Sequence, residues 1–191
     1  LKSPVYMIMG PWIHGQQAAS AHGQVTFGES AAIADQWAWR QEWYDHWLKG
    51  IDNSVGKEDP FKTPVRIFVM GTGDGGKDDK GRLQHGGFWR NEHDWPLART
   101  VFTNFYLQAD GSLSREKAQS ENSVTQFQFD PHDPVPTIGG NISSGDNILL
   151  QGAWNQKGGP HVWNFQQPVP ISARNDVLVF QTEPLEADLE V

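Results

Sequence analysis

The sequence has no cysteine, few basic residues and no long apolar run, and each absence removes a class of protein. Without cysteine, neither a disulfide framework nor a thiolate metal site can form, although the cellular compartment stays open. The 15 Lys and Arg against 23 Asp and Glu give a formal net charge of −8. This argues against binding to nucleic acid or to an anionic membrane, because both need clustered basic side chains. No apolar run approaches the roughly 20 residues of a membrane span, so we predict no such helix.

Aromatic residues, glycine and proline are abundant instead. The 191 residues include 9 Trp, 10 Phe, 20 Gly and 12 Pro, and 37% of the chain is hydrophobic. That is enough apolar side chain for a sizeable core. Because Gly and Pro separate short β-branched and aromatic runs, the composition favours strands and turns over helices.

A continuous apolar run covers residues 5–9 and ends at Gly10-Pro11. Both faces of such a run must be covered, which predicts a central strand of a parallel sheet. Gly and Pro terminate a strand and turn the backbone. His14 is therefore predicted to lie in the loop at the carboxyl end of this strand, where α/β proteins place ligands and catalytic groups.

Residues 30–49 have the pattern of a helix that begins with Ser30 as its N-cap and ends at Lys49-Gly50. Two adjoining rows of large apolar side chains run along it, formed by Ile33, Trp37, Tyr44 and Leu48 and by Trp39, Trp43 and Trp47. The rows cover about half of the circumference, which is wider than the usual stripe of roughly 100°. The helix is therefore predicted to pack against its own sheet and against a neighbouring domain.

The polar stretch that follows predicts a change of domain. Residues 51–61 contain Gly and Pro, and we place a linker at residues 56–61. Short strands are then predicted at residues 65–70, 101–107, 124–129, 148–150, 161–165 and 177–182. Many strands without helices favour a β-sandwich or jelly roll over residues 62–191. Because predicted strands lie at both ends of the chain, we interpret it as a piece truncated at both ends.

A catalytic histidine needs a nucleophile to deprotonate and a carboxylate to orient its ring. The sequence has no G-x-S-x-G, and Ile142-Ser143-Ser144-Gly145 lacks the strand-to-helix context of that motif. In α/β-hydrolases the order along the chain is serine, acid, histidine. If His14 is the histidine of such a triad, its serine and acid precede these residues. The alternative is a structural or surface histidine.

The other candidate ligands predict no metal site and no cofactor. His22 is interpreted as part of a solvated loop rather than of a pocket, and His46 as a surface residue of the helix. His85 and His93 lie near three acidic residues, Asp78, Asp79 and Asp94, but their spacing matches no common ligand pattern.

Two further features have a binding interpretation and a simpler one. The loop at residues 74–81 has the composition of a calcium loop without its register, and we predict a solvated hairpin tip. Four tryptophans could form a carbohydrate platform, although packing in a core or at a domain interface is the simpler use. They are Trp89, Trp95, Trp154 and Trp163.

Several motifs taken together resemble the cocaine-esterase-like (CocE/NonD) hydrolases. This group includes glutaryl-7-aminocephalosporanic acid acylases, α-amino acid ester hydrolases and relatives of X-Pro dipeptidyl-peptidase. The motifs are, in order, Gly10-Pro11-Trp12-Ile13-His14-Gly15, Phe27-Gly28, Tyr44-Asp45-His46-Trp47-Leu48-Lys49-Gly50, Pro64-Val65-Arg66-Ile67-Phe68-Val69-Met70-Gly71, Trp95-Pro96, Asp130-Pro131-His132-Asp133-Pro134, Gly139-Gly140, Asp176-Val177-Leu178-Val179-Phe180 and Glu183-Pro184-Leu185.

The resemblance implies that His14 matches the family's catalytic histidine. It implies that residues 1–55 are the last strand, histidine loop and final helix of an α/β-hydrolase domain, followed by the first part of a jelly-roll (galactose-binding-like) sandwich at residues 62–191. The implied activity is hydrolysis of a small ester or amide through a Ser-His-Asp triad without a cofactor. The partner implied for His14 is the missing N-terminal part of the same polypeptide, and a homo-oligomer stays open. The alternative is a non-catalytic β-sandwich module for binding or for a domain interface.

Overall fold

The computed structural model describes residues 4–119, 124–141, 150–157 and 170–191. These residues form small sheets and one α-helix, a mainly-β structure that fits a β-sandwich domain. In chain order, the strands and the helix are β1 (Met7–Met9), β2 (Ala21–His22), β3 (Val25–Thr26), α1 (Gln36–Lys49), β4 (Val65–Met70), β5 (Leu83–Gln84), β6 (Gly87–Glu92), β7 (Tyr106–Leu107) and β8 (Leu113–Ser114). Two short 3-10 helices cover Glu29–Ala31 and Ile171–Ala173. In the described part of the chain, no helix has the length and apolar character needed to cross a bilayer.

The chain divides into two compact units. The first comprises Leu1–Thr100 and Ile138–Asn155, and the second comprises Val101–Thr137 and Gln156–Val191. The predicted linker at residues 56–61 falls within the first unit, so these units differ from the predicted domains. A domain boundary at residues 56–61 stays a prediction.

The main sheet of the first unit has the strand order β1-β4-β6. β1 runs parallel to β4, with Met7 opposite Val65, and β6 runs antiparallel to β4 on its other side. The sequence predicted a central strand at residues 5–9, and this is wrong within the described residues. β1 has one neighbour there and lies at the edge of the sheet, and Val5 beside it is 78% exposed.

α1 begins later than predicted and ends where predicted. Residues 29–31 form a separate 3-10 helix, and Ala32 after it is extended. The N-cap of α1 is Asp35 rather than Ser30, because the Asp35 carboxylate accepts hydrogen bonds from the backbone N–H groups of Trp37 and Ala38. At the other end, Gly50 adopts φ +69, the left-handed conformation that commonly terminates helices.

The two aromatic rows of the helix have different environments. In one row, the Trp43 ring packs edge-on against Tyr6 at 5.1 Å and in a tilted arrangement against Phe61 at 5.5 Å between ring centroids. In the other row, the side chains of Trp37 and Leu48 are 69% and 76% exposed. Within the described residues, no residue of α1 is fully buried, so the helix covers one row more than the other and buries neither completely.

The core of the first unit forms where the 3-10 helix meets the main sheet. Phe27, Ala31 and Phe68 are buried together, and Val25 and Trp89 pack against them. The rings of Phe27 and Phe68 meet edge to face at 6.3 Å. This cluster joins the sheet to the segment that follows the His14 loop.

The second unit is held by a short hairpin and an arginine. β7 and β8 pair antiparallel, and Gln181 extends them through its backbone bonds to Leu113 and Gly111. The Arg174 guanidinium donates two hydrogen bonds of 2.7 Å to the carboxylate of Asp176 and also binds Asp133. The bonds from Arg174 lower the pKa of Asp176. Arg174 thus joins the proline-rich stretch at residues 130–136 to residue 176.

Within the described residues, few of the strands predicted for the β-rich region are formed. The strand at residues 65–70 is confirmed. Of residues 101–107 only Tyr106–Leu107 are a strand, residues 124–129 form none, and residues 177–182 contribute a single bridge at Gln181. Residues 148–149 and 161–165 lie outside the described residues. A strand needs a partner, and Val101, Phe102 and Val124 are each more than three-quarters exposed.

Candidate functional site

His14 lies in a tight turn just beyond β1. The backbone N–H of Gln16 donates to the carbonyl of Ile13 at 3.1 Å, which closes a four-residue turn with His14 at its second position. Gly15 at the third position has φ +75, which strongly favours glycine there. The His14 side chain is exposed, and within the described residues its imidazole makes no hydrogen bond. The ring is therefore free to meet groups from outside.

The residues before His14 anchor this turn to the core. A Cβ on Gly10 would lie 2.4 Å from the Trp12 ring, so glycine is needed for the indole to fold back over the end of β1. The Trp12 N–H then donates to the carbonyl of Ala31 at 2.6 Å. The ring also packs against Trp89, with 5.6 Å between centroids. The Gly-Pro-Trp segment thus fixes the base of the turn.

Residues from much later in the chain contact the same loop. The backbone N–H of His14 donates to the carbonyl of Asn141 at 3.1 Å. Gln151 connects this loop to Asn141 through two longer bonds. Its side-chain oxygen accepts from the Gln16 amide, and its own amide N–H donates to the Asn141 carbonyl, both at 3.4 Å. Neither Asn141 nor Gln151 was predicted from the sequence. A carbonyl acceptor leaves no signal in residue type, and 127 positions separate His14 from Asn141.

His22 is buried, which corrects its interpretation as a solvated loop residue. It lies in β2 and is 3% exposed. Within the described residues, neither ring nitrogen makes a hydrogen bond. Burial lowers the pKa of His22, and a contact with the Ala19 backbone that falls short of hydrogen-bond geometry opposes this in part. Burial thus favours the neutral form of the His22 imidazole.

Three other histidines have surroundings of their own. His46 is half-buried rather than on the surface, with its ring 4.8 Å from that of Trp47. His85 packs at 5.4 Å against the Phe27 ring, and His93 is exposed. No group of three or more potential metal ligands is found in the part of the chain that is described.

The loop at residues 74–81 ends in a turn built on Asp78. The Asp78 carboxylate accepts hydrogen bonds from the backbone N–H groups of Lys80 and Arg82 and forms a 2.7 Å ion pair with the Arg82 side chain. Burial alone would raise the pKa of Asp78, but the bonds from Arg82 and Lys80 lower it. The oxygens of Asp78 are thus used within the turn, as expected of a hairpin tip.

The three described tryptophans of the possible carbohydrate platform have different surroundings. Trp89 packs against Phe68 at 5.4 Å and donates its N–H to Ser30. Trp154 donates to the carbonyl of Gln151 at 3.0 Å, whereas Trp95 is 54% exposed. Trp163 lies outside the described residues. For Trp89, the observed use is the core packing that the sequence favoured.

An apolar groove of about 720 Å³ lies between β1, the His14 loop and α1. Ile8 and Phe61 line it, together with Trp37, Trp43 and Tyr44 of the helix. Arg40, which also lines the groove, places its guanidinium over the Trp37 ring at 4.7 Å. The exposed aromatic row of the helix therefore faces an open groove beside the loop that carries His14.

Comparison with known proteins identifies relatives over nearly the whole chain. The cocaine esterase of Rhodococcus sp. (strain MB1 Bresler) is 29% identical over 198 residues, which cover 97% of this chain and 28% of the esterase. The chain thus spans little more than a quarter of the length of that relative. Residues 61–191 match the model of the X-Pro dipeptidyl-peptidase C-terminal non-catalytic domain.

These two findings confirm the resemblance to the cocaine-esterase-like hydrolases that the motifs indicated. The esterase similarity includes the region of His14, which lies before the matched domain. Through residues 61–191, the chain belongs to the family of the X-Pro dipeptidyl-peptidase C-terminal non-catalytic domain.

Proposed function

We propose that His14 is the histidine of a Ser-His-Asp triad in a serine hydrolase that cleaves ester or amide bonds. The observation that carries this proposal is the placement of His14. Its imidazole is exposed at the tip of a turn directly after β1, in a loop whose base is anchored by the Trp12 bond to Ala31. The 29% identity to a cocaine esterase over 97% of the chain supports the same reading.

The chemistry assigned to His14 is proton transfer. As the serine attacks the substrate carbonyl, the imidazole accepts the hydroxyl proton, and it then donates that proton to the departing alcohol or amine. Water then attacks the acyl-serine with the same two proton transfers, which releases the carboxylic acid product and restores the serine. The serine and the acidic residue are contributed by a part of the polypeptide outside these 191 residues, which alone are then inactive.

The domain organisation follows from this assignment. Residues 1–55 supply the last strand, the histidine loop and the final helix of an α/β-hydrolase domain, and residues 62–191 supply part of a jelly-roll sandwich. Two observations support this division. The match to the non-catalytic domain starts at residue 61, at the end of the predicted linker, and α1 ends at Lys49.

The test is the substitution His14→Ala in the polypeptide that contains the nucleophile. We expect kcat for a small ester to fall by several orders of magnitude without loss of fold, as when any triad member is removed. His93→Ala, which removes an exposed histidine elsewhere, should leave kcat unchanged. The 191-residue chain alone should not react with a fluorophosphonate probe. Near-full activity of the His14 variant would refute the proposal.

A second candidate function is that of a non-catalytic module for binding or for a domain interface. The description of the matched domain as non-catalytic favours it for residues 61–191. The two functions are compatible if this region supports a catalytic part. The same experiment distinguishes the two functions, because His14→Ala should leave kcat unchanged if the chain is purely non-catalytic.

A further inference from the structure

The loop that carries His14 is held by two short segments from the region matched to the non-catalytic domain. We call residues 13–24 the histidine loop and residues 138–141 and 150–155 the clamp segments. All three belong to the same compact unit. The first bond joins the start of the loop to a clamp segment, from the His14 N–H to the Asn141 carbonyl at 3.1 Å.

The end of the histidine loop is bound more tightly. The Gln24 N–H donates to the carbonyl of Ala153 at 2.8 Å, and the Ala153 N–H donates back to the carbonyl of His22 at 3.3 Å. The Gln24 side chain then accepts a bond from the backbone N–H of Asn155 at 2.8 Å. The two clamp segments are joined to each other by a bond of 2.9 Å from the Gly152 N–H to the Gly140 carbonyl.

The contact between loop and clamp leaves no room for side chains. Gly23 has φ +64 and Gly152 has φ +113, conformations that side chains rarely adopt. A Cβ on Gly152 would lie 2.4 Å from the backbone nitrogen of Gly23, and a Cβ on Gly23 would lie 2.4 Å from the carbonyl oxygen of Ala153. Both neighbours are backbone atoms and cannot rotate away. The fit therefore depends on glycine on both sides.

We propose that the clamp segments are a positioning element for His14, so that a region assigned to a non-catalytic domain sets the geometry of the catalytic histidine. This rests on the proposed function of His14. A base must lie within hydrogen-bond reach of the proton that it accepts, and a misplacement of about 1 Å can cost about 100-fold in rate. His14 sits on a short turn, and its own backbone N–H is bonded to a clamp segment. Asn141 and Gly152 act through that backbone and touch no reacting atom.

The first test measures amide hydrogen exchange in the 191-residue chain and needs no catalysis. Gly152→Ala should speed exchange of the His14 and Gln24 amides by about tenfold or more. The matched control is Gly75→Ala, since Gly75 has φ +81 but nothing within 4 Å of its added Cβ. Gly75→Ala carries the same kind of backbone strain and should leave both amides protected. A second variant, Gln24→Met, removes the acceptor for Asn155 without altering a glycine and should act in the same direction.

The amides of β4 and β6 report whether the unit stays folded. If they lose protection in Gly152→Ala together with those of the histidine loop, the clamp is a general stabilising contact and the proposal fails. It also fails if the His14 and Gln24 amides stay protected. Selective loss in the histidine loop supports it.

The second test uses the polypeptide that contains the nucleophile. Gly152→Ala should lower kcat by between about 10- and 100-fold with KM almost unchanged, because base placement is altered and substrate binding is not. Gly75→Ala should change neither. If His14→Ala abolishes activity while Gly152→Ala leaves kcat intact, the clamp proposal is wrong and the triad assignment stands. If His14→Ala is active while the exchange result is as expected, the clamp exists and the proposed function is wrong.

Discussion

Trp12 and Trp89 lie with their ring centroids 5.6 Å apart, and both donate their indole N–H to the same 3-10 helix. Trp12 binds the carbonyl of Ala31 at 2.6 Å, and Trp89 binds the carbonyl of Ser30 at 2.7 Å. The pair therefore joins the loop after β1 to β6 through two adjacent carbonyls. Ala31, at 1% exposure, is the most deeply buried member of the core.

Replacing Trp12 with Phe should destabilise the fold through the loss of one donor. Phe keeps an aromatic ring against Trp89 but leaves the Ala31 carbonyl without its partner, at a cost of about 1–3 kcal/mol in the free energy of unfolding. Urea denaturation measures this. Trp95→Phe, at a tryptophan that is 54% exposed, is the control and should have almost no effect. Equal losses in the two variants would show that the bond to Ala31 contributes nothing.

The cap of α1 gives a second prediction. Asp35→Ala should lower the free energy of unfolding by about 1 kcal/mol, because the N–H groups of Trp37 and Ala38 lose their acceptor. Ser30→Ala, at the N-cap that sequence analysis predicted, should change it by only a few tenths of a kcal/mol. A larger effect at Ser30 than at Asp35 would contradict the observed start of the helix.

Buried His22 should make the fold sensitive to mild acid. Its pKa in the folded chain is lowered from the ordinary value of 6.5, so below that pH the unfolded chain binds the proton more readily. The contribution of neutral His22 to the free energy of unfolding is thus complete above about pH 6.5. It is lost as the pH falls through the lowered folded pKa, and the free energy of unfolding then changes by at most about 1.4 kcal/mol per pH unit. Urea denaturation between pH 7.5 and pH 5 measures it.

The variant that tests this is His22→Leu, which replaces the imidazole with an apolar side chain of similar size and so removes the titrating group. Its stability should fall less in acid than that of the original chain. His93→Leu, at an exposed histidine, should retain the original dependence on pH. Identical acid profiles for the chain and for His22→Leu would mean that another group is responsible.

The groove beside α1 predicts how the isolated chain behaves. Because Trp37 and Tyr44 are 69% and 56% exposed next to it, the 191-residue chain should bind a hydrophobic dye or self-associate. Replacing both residues with Gln should reduce dye fluorescence and association. Phe102→Ser removes another exposed aromatic, in the second unit, and should reduce them less. A monomer that binds no dye would contradict the prediction.

The elements that the sequence predicted well are those specified by short-range rules. The end of α1 at Lys49-Gly50 follows from the left-handed conformation that glycine adopts at a helix terminus. The strand at residues 65–70 follows from a dense β-branched and aromatic run. The turn at His14 follows from Gly10-Pro11 before it and Gly15 after it.

The errors arise where a tertiary contact competes with a local pattern. Ser30 is an acceptable N-cap by residue type, but the chain at residues 29–31 is bound by Trp12 and Trp89, and the helix starts at the next suitable acceptor, Asp35. His22 has the sequence surroundings of a loop, but it lies in β2, which pairs with β3, and its carbonyl accepts a bond from the Ala153 N–H of a clamp segment.

The sequence by itself determined the family, through an ordered set of short motifs along the chain. It also indicated the candidate histidine and the turn that presents it, because these depend on residue types at close spacing. Only the tertiary structure decided which distant residues hold that turn. The bond from His14 to Asn141 and the backbone fit between Gly23 and Gly152 involve carbonyls and glycines more than 120 positions apart. Their pairing depends on how the chain folds back on itself, which no local pattern encodes.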